Sequence, residues 1–553
     1  MPAALVSIGK KPEDATNRHS QTVLRESAAN EFVFAVVGHV GSGTSEVADI
    51  LKIVLTHPNL VGGSFDTEIL KARDVLRTLD NAGSVLAGVS EDTLDYARRL
   101  QDLGDSLREG GDHAAVARAL ILRVRQLRAY KRGLELGDGP IEPDGTRRAY
   151  ILDSIRHPAE VELLRNVYQS AFILVGIVCD EDVRLQRINR KYSDAGDKNA
   201  RAFMQRDAKA NEKYGQRVSD AFHLADIFLD NSTDRYEAGG EENEHWIIPD
   251  ALRRLVKIIT HAEVVRPTLA ETAMNAAHGA QMRSACLSRQ VGAALIDQVG
   301  NLVSTGTNEV PQAGGGVYGE DFEPDDAHDH RCAYKNKYCS STREQNELIE
   351  ELVALLNEKQ ATKVADHALV AILKDSRLTQ LLEFSRAVHA EMDSLLRAAR
   401  QGTSTVATRM FVTTYPCHYC ARHIVAAGVD EVQYIEPYPK SRAKKLHSDA
   451  ITSEPIGWVP SSKQGEKVLF RPFVGVAPRL YRRAFLKDRD LKNDISGEMR
   501  ISEPAWATPW HIGRVSYVEL EAKLAKRDAP ERAGVSSGAT AMLDIDKKPT
   551  DGT

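Results

Sequence analysis

Runs of consecutive apolar residues alternate with stretches of helical periodicity through the first half of the chain. The run at residues 32–37 has no polar interruption and predicts a buried strand, which a glycine-rich turn and an amphipathic helix follow directly. Similar runs at residues 171–178 and 225–229 predict two more strands. Residues 66–132 keep a helical period and are rich in Leu, Ala and Arg, so they predict helices, and residues 137–145 predict a loop. The first half is therefore of the α/β class.

A second α/β pattern begins after residue 261. A helix over residues 268–288 leads into a predicted hairpin of strands 291–296 and 302–305. Residues 383–435 predict a helix, a strand, a helix and a strand in that order, and residues 314–342 form an irregular insert before them. These patterns divide the chain into a flexible tail (1–30), an N-terminal domain (31–260), a C-terminal domain (261–525) and a second flexible tail (526–553).

The composition argues against several classes of protein. The 553 residues carry 72 Lys and Arg against 78 Asp and Glu, a formal net charge of −6, whereas a general nucleic-acid-binding protein usually carries a positive field. Hydrophobic residues make up 42% of the chain, which is enough for folded cores. No apolar run approaches the ~20 residues of a membrane-spanning helix, and the N-terminus lacks an apolar signal core. We therefore expect a cytoplasmic protein with no membrane partner.

The strongest chemical signal is a histidine and two cysteines at spacings that suit a zinc ion. His389 lies two residues before Glu391, and Cys417 and Cys420 follow Pro416 at the start of a predicted helix. One imidazole and two thiolates leave the fourth position of tetrahedral zinc open for water, which is the catalytic arrangement. Zinc lowers the pKa of that water toward ~7, and Glu391 is the candidate catalytic residue that carries its proton. A structural zinc knuckle and a redox Cys-x-x-Cys pair are the alternatives, and the His-x-Glu partner disfavours both.

A glycine-rich loop follows the first predicted strand, where a phosphate-binding loop belongs. Its candidate nucleotide-binding residues are Gly38, Gly41, Ser42, Gly43, Thr44 and Ser45. Backbone amides of such a loop cradle a phosphate, and Ser45 is placed to reach a Mg²⁺ ion, so the expected ligand is a nucleoside triphosphate with magnesium. Thr44 stands where such loops carry the lysine that contacts the β- and γ-phosphates during transfer. We therefore expect nucleotide binding without efficient phosphoryl transfer.

Two further clusters are candidates for binding. Lys440, Arg442 and Lys444 form a local basic run that is able to neutralise substrate phosphates, although a solvated helix face is the plainer interpretation. The irregular insert holds side chains that suit a second, structural zinc ion, although flexible polar inserts often carry such side chains by chance. These candidate ligands are His328, His330, Cys332 and Cys339.

The C-terminal half resembles the deoxycytidylate deaminases. The resemblance rests on residues 284–293 (SACLSRQVGA), 306–311 (GTNEVP) and 411–417 (FVTTYPC), and it extends over about residues 265–485. It implies a cytidine-deaminase-like α/β/α domain in which Asn308 contacts the nucleotide and the His and two Cys bind zinc. Asp393 departs from the family, which commonly carries Asn at that position.

The N-terminal half resembles nucleoside-monophosphate and dephospho-coenzyme-A kinases at residues 153–158, 184–190 and 225–231, which implies a P-loop kinase-like parallel-sheet domain. Together the halves resemble the bacterial anti-phage dCTP deaminases. That resemblance implies deamination of dCTP, and of dCMP, which depletes dCTP during phage infection. It also implies regulation by a nucleotide or an inhibitory small RNA, and we expect a homo-oligomer.

The sequence is compatible with three other functions. A housekeeping dCMP deaminase with an allosteric nucleotide-binding domain keeps the same chemistry. A cytosine deaminase acting on single-stranded nucleic acid requires a cationic groove with stacking groups, which the acidic net charge disfavours. A nucleotide-responsive binding protein with a degenerate site is disfavoured by the complete set of His389, Glu391, Cys417 and Cys420.

Overall fold

The computed structural model forms two compact units. It describes residues 29–57, 64–80, 85–210, 212–237, 239–261, 263–319, 329–335, 337–359, 364–380, 384–438, 440–487, 495–499, 518 and 521–522. The first unit takes the chain up to Ala225, then Asp230–Val264, and the described residues beyond Arg489. The second unit takes Asp226–Leu229 and Val265–Asp488. Residues 1–28 and 526–553, which belong to the predicted tails, lie outside the described residues.

The first unit combines helices with a parallel sheet of strand order β4-β1-β3-β2. Every residue of β1, β3 and β4 is buried, as expected for parallel strands covered on both faces. The strands are β1 (Glu31–Val37), β2 (Asp66–Lys71), β3 (Arg148–Ile155) and β4 (Phe172–Val178). The helices are α1 (Thr44–Thr56), α2 (Ala72–Leu79), α3 (Leu94–Glu109), α4 (Ala115–Lys131), α5 (Pro158–Tyr168), α6 (Glu181–Lys191), α7 (Asp197–Ala208), α8 (Val218–Phe222) and α9 (Ile248–Thr260), with a 3-10 turn at Gln169–Ala171.

Two of these strands depart from the sequence pattern. The prediction of helix from residue 66 is wrong for β2, which pairs along β3 before the first helix begins at Ala72. The sequence pattern also does not predict β3. All residues of this strand are buried, although it begins with Arg148 and contains Asp153. Arg148 donates to Asp144, and Asp153 accepts a hydrogen bond from Ser45, so the polar groups of this strand are satisfied by partners that periodicity does not reveal.

The first unit also contains a buried ionic cluster, which we call the Arg128 cluster: Arg128, Glu31 and Glu521. The guanidinium of Arg128 is fully buried and donates to Glu31 Oε2 at 2.7 Å and to Glu521 Oε2 at 2.5 Å. Both carboxylates are buried as well. Burial raises the pKa of Glu521 above its usual range. The cluster therefore ties a residue near the end of the chain to the first strand and to α4.

The second unit contains a mixed sheet of strand order β10-β11-β9-β8-β6-β7. Strands β8, β9, β11 and β10 run parallel, and β6 pairs antiparallel with both β7 and β8. Separately, β12 pairs antiparallel with β5. The strands are β5 (Ile227–Asp230), β6 (Gly292–Ile296), β7 (Leu302–Thr307), β8 (Arg409–Thr414), β9 (Glu431–Glu436), β10 (Ile451–Thr452), β11 (Val468–Pro472) and β12 (Gly475–Val476). The helices are α10 (Leu269–Gln281), α11 (Cys332–Lys335), α12 (Ser340–Glu358), α13 (Asp366–Asp375), α14 (Ala390–Arg400), α15 (His418–Ala426), α16 (Ala443–Leu446) and α17 (Pro478–Phe485), with 3-10 turns at Arg377–Gln380 and Ser461–Lys463.

A close approach between strand and helix fixes α14 on this sheet. A β-carbon added at Gly306 of β7 would clash with the carbonyl oxygen of Ala390 and with the backbone of Ser394, both in α14. Only glycine lets the two backbones lie this near. The start of α14, which carries the candidate catalytic residue, is therefore held directly against β7. Among the described helices, none combines the length and apolar character needed to cross a membrane.

Candidate active site

Three candidate metal ligands converge at the ends of two helices in the second unit. The Sγ atoms of Cys417 and Cys420 lie 3.3 and 3.4 Å from Nδ1 of His389. The three ligand atoms lie within 4.8 Å of one another, and both cysteines are buried. In the part of the chain that the structure describes, these residues form the one group of three or more side chains spaced to hold a metal ion. A histidine nitrogen with two cysteine sulfurs is a donor set that zinc accepts.

The local sequence explains why these ligands meet. His389 is the residue that precedes α14, and Cys417 is the residue that precedes α15, so both side chains stand at helix N-termini. Pro416 lies between the end of β8 at Thr414 and the start of α15, where the amide of Cys420 donates to Cys417 Sγ at 3.4 Å. The hydrogen bond with Cys420 lowers the pKa of Cys417 to about 4, which favours its thiolate form.

Glu391 lies beside the ligands and inside the protein. It occupies the first turn of α14, and only 4% of it is exposed. Burial raises the pKa of Glu391 to about 7. Burial opposes the charged form of His389, but its hydrogen bond with Cys417 raises the pKa of His389 to about 9. A buried carboxyl group at this place is able to hold or release a proton next to the ligand cluster.

Asn308 is brought to the same region by a backbone bridge. Glu309 and Val388 exchange two backbone hydrogen bonds, so the residue before Glu309 lies near the residue after Val388, which is His389. Asn308 is 7% exposed, and its Nδ2 donates to the carbonyl oxygen of Arg289 at 2.8 Å. The hydroxyl of Ser284 donates to the Asn308 carbonyl at 2.6 Å. These two hydrogen bonds fix the position of Asn308 relative to Ser284 and Arg289.

Asp393 stands where the deoxycytidylate deaminases commonly carry Asn, and its carboxylate has a structural role. Asp393 is buried in α14, and its Oδ2 accepts a hydrogen bond from the amide of Thr307 at 3.1 Å. Because this role needs only an acceptor, the carboxylate serves it and helps to hold the end of β7 on α14.

Three side chains near this region, Arg289, Glu436 and Tyr438, are not among the predicted site residues. Arg289 pairs with Glu436 at 3.2 Å, and its guanidinium lies 5.4 Å from the centre of the Tyr438 ring. Glu436 also accepts a hydrogen bond from Thr414 at 3.1 Å. Glu436 and Thr414 end the neighbouring parallel strands β9 and β8, and the carboxyl ends of such strands are where sites form. That rule, applied to the predicted strands, is the signal that points to Glu436.

The predicted basic residues surround a short turn next to Cys417. The hydroxyl of Ser441 donates to the carbonyl oxygen of Pro416 at 2.7 Å, which fixes this turn to the ligand-bearing segment. The side chains of Lys440 and Arg442 form no hydrogen bond or ion pair with any residue that the structure describes. Lys444 donates to the Ser453 hydroxyl at 2.9 Å and is exposed.

The predicted phosphate-binding loop joins β1 to α1. Gly38 follows β1, Gly41 and Gly43 both have φ of +83°, and Thr44 begins the helix. Left-handed φ values at two loop positions explain why glycine occupies them. Ser42 is buried, and the hydroxyl of Ser45 donates to Asp153 Oδ2 at 2.6 Å.

The predicted second metal site is only partly within the described residues. His328 lies outside them. Cys332 Sγ lies 3.4 Å from the Ser340 hydroxyl, and Cys339 Sγ lies 3.0 Å from the Ser288 hydroxyl. His330, Cys332 and Cys339 do not form a ligand group of three with the residues the structure describes. A second zinc site stays a prediction.

Several known proteins are similar to this chain. Residues 267–436 match the family model of the cytidine and deoxycytidylate deaminase zinc-binding region. A deoxycytidylate deaminase of Enterobacteria phage T4 is 28% identical over 177 residues, which cover 31% of this chain and 80% of that protein. A probable deoxycytidylate deaminase of Drosophila melanogaster is 35% identical over 80 residues, 14% of this chain and 38% of that protein. The crystal structure of dCMP deaminase from cyanophage S-TIM5 with dCMP and dUMP is 17% identical, covers 38% of this chain and 99% of that one, and has a TM-score of 0.21.

The second unit thus contains a zinc-binding deaminase domain with a His/Cys/Cys site. The protein is a deaminase, a hydrolase that acts on C–N bonds.

Proposed function

We propose that this deaminase acts on deoxycytidine nucleotides and converts dCTP, and with it dCMP, to the corresponding deoxyuridine nucleotides. The observation that carries the proposal is the convergence of Cys417 and Cys420 on Nδ1 of His389, beside the buried carboxyl group of Glu391. The relative from phage T4 is named a deoxycytidylate deaminase, which supports a 5′-phosphorylated deoxycytidine as the class of substrate.

The metal ligands and Glu391 have separate roles in the proposed reaction. His389, Cys417 and Cys420 would hold zinc, which when bound supplies an activated water for attack on the ring carbon that carries the amino group. Glu391 would carry one proton of that water to the ring nitrogen, and then carry the second proton, from the hydroxyl left on the attacked carbon, to the amine, which departs as ammonia. Because Glu391 is buried, the proton that it holds is shielded from exchange with bulk water.

The charged groups around the site suit a phosphorylated substrate. Lys440 and Arg442 stand on the turn fixed to Pro416 and have no partner among the described residues, so their charges are available for substrate phosphates. Lys444 adds a third cation on the same segment, and Asn308 contacts the nucleotide beside His389. Several cations favour a triphosphate over a monophosphate because each added phosphate brings further negative charge.

The biological role that we propose is depletion of dCTP in defence against phage, with the first unit as a P-loop kinase-like regulatory domain. A nucleoside triphosphate would bind to the loop residues Gly38, Gly41, Ser42, Gly43, Thr44 and Ser45. Ser45 and Asp153 are the residues that would help to hold its Mg²⁺ ion. The proposal includes a homo-oligomer and regulation by a nucleotide or a small RNA. A second candidate is housekeeping deamination of dCMP, which the names of the relatives from phage T4 and Drosophila melanogaster favour.

The test presents purified protein with dCTP, dCMP, deoxycytidine, CTP and a cytosine-containing single-stranded DNA in parallel, and measures ammonia and the uracil product. We expect dCTP and dCMP to be deaminated, with dCTP the better substrate. Turnover of dCMP alone would support the housekeeping function, and turnover of the DNA alone would contradict both. We expect Lys440→Ala to raise KM for dCTP by about tenfold, with no effect on deoxycytidine. Lys463→Ala, at an exposed site in the same unit, is the matched control.

A further inference from the structure

Glu309 is a buried carboxylate beside the active site that the proposed reaction does not use. It directly follows Asn308 in the GTNEVP segment, and it is 1% exposed. Glutamate is almost never buried to this extent unless a partner compensates its charge. In the part of the chain that the structure describes, no lysine, arginine or histidine forms an ion pair with Glu309. Its charge must therefore be compensated by hydrogen bonds.

Two backbone amides supply those hydrogen bonds. The amide of Ala285 donates to Glu309 Oε2 at 2.7 Å, and the amide of Val310 donates to Glu309 Oε1 at 2.9 Å. Each oxygen faces a donor, and an ionised carboxylate, which only accepts, matches both donors. A glutamine of the same size would place its NH₂ group against one of the two amides in either orientation of its side chain. The arrangement therefore requires a side chain with two acceptor atoms.

The contacts of Glu309 join three segments of the chain at the active site. Its carboxylate is bonded to Ala285, in the segment that leads into β6. Its backbone exchanges two hydrogen bonds with Val388, the residue before the ligand His389. Asn308 belongs to the third segment, that of Glu309 itself. The carboxylate therefore fixes the segment of Ala285 relative to a metal ligand.

Asn308 is the residue whose position depends on this connection. Its amide donates to the Val291 carbonyl at 3.1 Å, its carbonyl accepts from the Ser284 hydroxyl at 2.6 Å, and its Nδ2 donates to the Arg289 carbonyl at 2.8 Å. All three partners lie in the segment that the Glu309 carboxylate holds. The Oδ1 atom of Asn308 accepts no hydrogen bond from any described residue, so it is available to a substrate.

We infer that Glu309 is a positioning residue: its two amide hydrogen bonds set the place of Asn308 relative to His389, so that Asn308 Oδ1 meets the substrate. Glu309 itself does not touch the substrate, because its carboxylate is buried and both oxygens are occupied. The inference rests on the proposed function, in which Asn308 contacts the nucleotide. A contact that is equally strong in the bound substrate and in the transition state changes KM and not kcat. Glu309 therefore acts on KM.

The test is steady-state kinetics of Glu309→Gln with whichever of dCTP, dCMP, deoxycytidine and CTP the wild-type protein deaminates. We expect KM to rise about tenfold and kcat to stay within about twofold of the wild-type value. Zinc content is expected to be unchanged, since Glu309 is not among the converging ligands. A purely structural role would lower the fraction of active protein, and hence kcat, without raising KM.

Glu271→Gln is the matched control in the same unit. Glu271 is also 1% exposed, and it also accepts from two backbone amides, those of Thr268 at 2.7 Å and Val476 at 2.8 Å. The segments that it joins carry no predicted metal ligand or substrate-binding residue. We therefore expect Glu271→Gln to lower the melting temperature about as much as Glu309→Gln does, and to leave KM unchanged.

A double-mutant cycle shows whether Glu309 acts through Asn308. We expect Asn308→Ala to raise KM, and Glu309→Gln to add less than about twofold in that background. Glu309→Asp keeps the charge but is one carbon shorter, so it cannot serve both amides. It is expected to raise KM as well, and it replaces Glu309→Gln in the cycle if melting shows that the glutamine variant does not fold.

Three results would overturn the inference: a wild-type KM in the folded Glu309 variants, a wild-type KM in Asn308→Ala, or a full tenfold rise on adding Glu309→Gln to Asn308→Ala. Deamination of deoxycytidine or CTP, but of neither dCTP nor dCMP, refutes the proposed function, and the same kinetics on the accepted substrate still test Glu309. Efficient deamination of dCTP together with a wild-type KM in Glu309→Gln refutes only the role of Glu309.

Discussion

Replacing Gly306 with alanine tests whether the packing of β7 on α14 positions the active site. A β-carbon at this position would lie 3.0 Å from Cα of Ser394, and closer still to the carbonyl oxygen of Ala390 and the amide nitrogen of Ser394. All of these are backbone atoms, so no side-chain rotation relieves the clash. Carbon atoms pack at about 3.5–4.0 Å, so α14 must move away from β7 by at least about 0.5–1 Å.

That displacement affects deamination because Glu391 lies in α14 and His389 directly precedes this helix. A misplacement of about 1 Å costs on the order of 100-fold in rate. Overpacking of this kind costs about 1–3 kcal/mol of stability. We therefore expect Gly306→Ala to lower kcat for deamination by about 100-fold and to lower the melting temperature of the second unit.

The matched control is Gly279→Ala, in α10 of the same unit. A β-carbon at Gly279 meets no atom within 4 Å, and alanine in a helix is more favourable than glycine by about 0.5–1 kcal/mol. We expect this variant to keep full activity and to melt at the same temperature or slightly higher. Steady-state kinetics, scanning calorimetry and zinc content are measured on both. Wild-type kcat in Gly306→Ala would refute the claim that this contact positions the site.

Three further predictions concern the metal, the buried charges and the thiols. Removal of metal with a chelator is expected to abolish deamination, and added zinc is expected to restore it, which activity assays with parallel metal analysis check. Arg128→Met leaves two buried carboxylates without their cation and is expected to destabilise the first unit by about 3–5 kcal/mol. The control is Arg253→Met, which removes an exposed ion pair and is expected to cost at most about 1 kcal/mol of stability. Because burial raises the folded-state pKa of Glu521, the folded variant takes up a proton there as the pH falls, so its deficit in denaturant melts shrinks as the pH is lowered. Burial raises the pKa of Cys179 to about 12. At Cys339, hydrogen bonds from Ser288 and Thr342 outweigh the effect of burial and lower the pKa. Mass spectrometry after alkylation near pH 8 is therefore expected to find Cys339 labelled well before Cys179.

The metal-ligand geometry is the part of the site that local sequence predicts best. His389, Glu391, Cys417 and Cys420 lie at two helix starts, and each start carries a local signal, the His-x-Glu pair and the Pro-Cys-x-x-Cys pattern. The sequence does not show that the two starts meet, but the chemistry of zinc requires it. The rule on strand ends points to Glu436 but not to its partner Arg289, because nothing in either local sequence indicates that β6 and β9 flank β8.

The same distinction explains the two strands that periodicity misses in the first unit. Strand β1 is uniformly apolar and needs no partner to be recognised. Strand β3 contains Asp153, whose carboxylate is satisfied by Ser45, a residue 108 positions away. Strand β2 pairs with β3 and includes Glu68 and Lys71, so its residues resemble those of an exposed helix. Whether such segments form strands depends on partners that are distant in the chain, and a single sequence does not show which residues those partners are.

The central claim is tested most directly by measuring deamination of dCTP and zinc content in the wild-type protein and in Glu391→Gln. We expect both proteins to hold zinc in equal amounts, because Glu391 is not among the converging ligands. We expect the wild-type protein to convert dCTP to dUTP, and the variant to lose at least about 100-fold in rate because its proton carrier is gone. Undiminished turnover in Glu391→Gln, or no turnover of dCTP by zinc-loaded wild-type protein, would contradict the account.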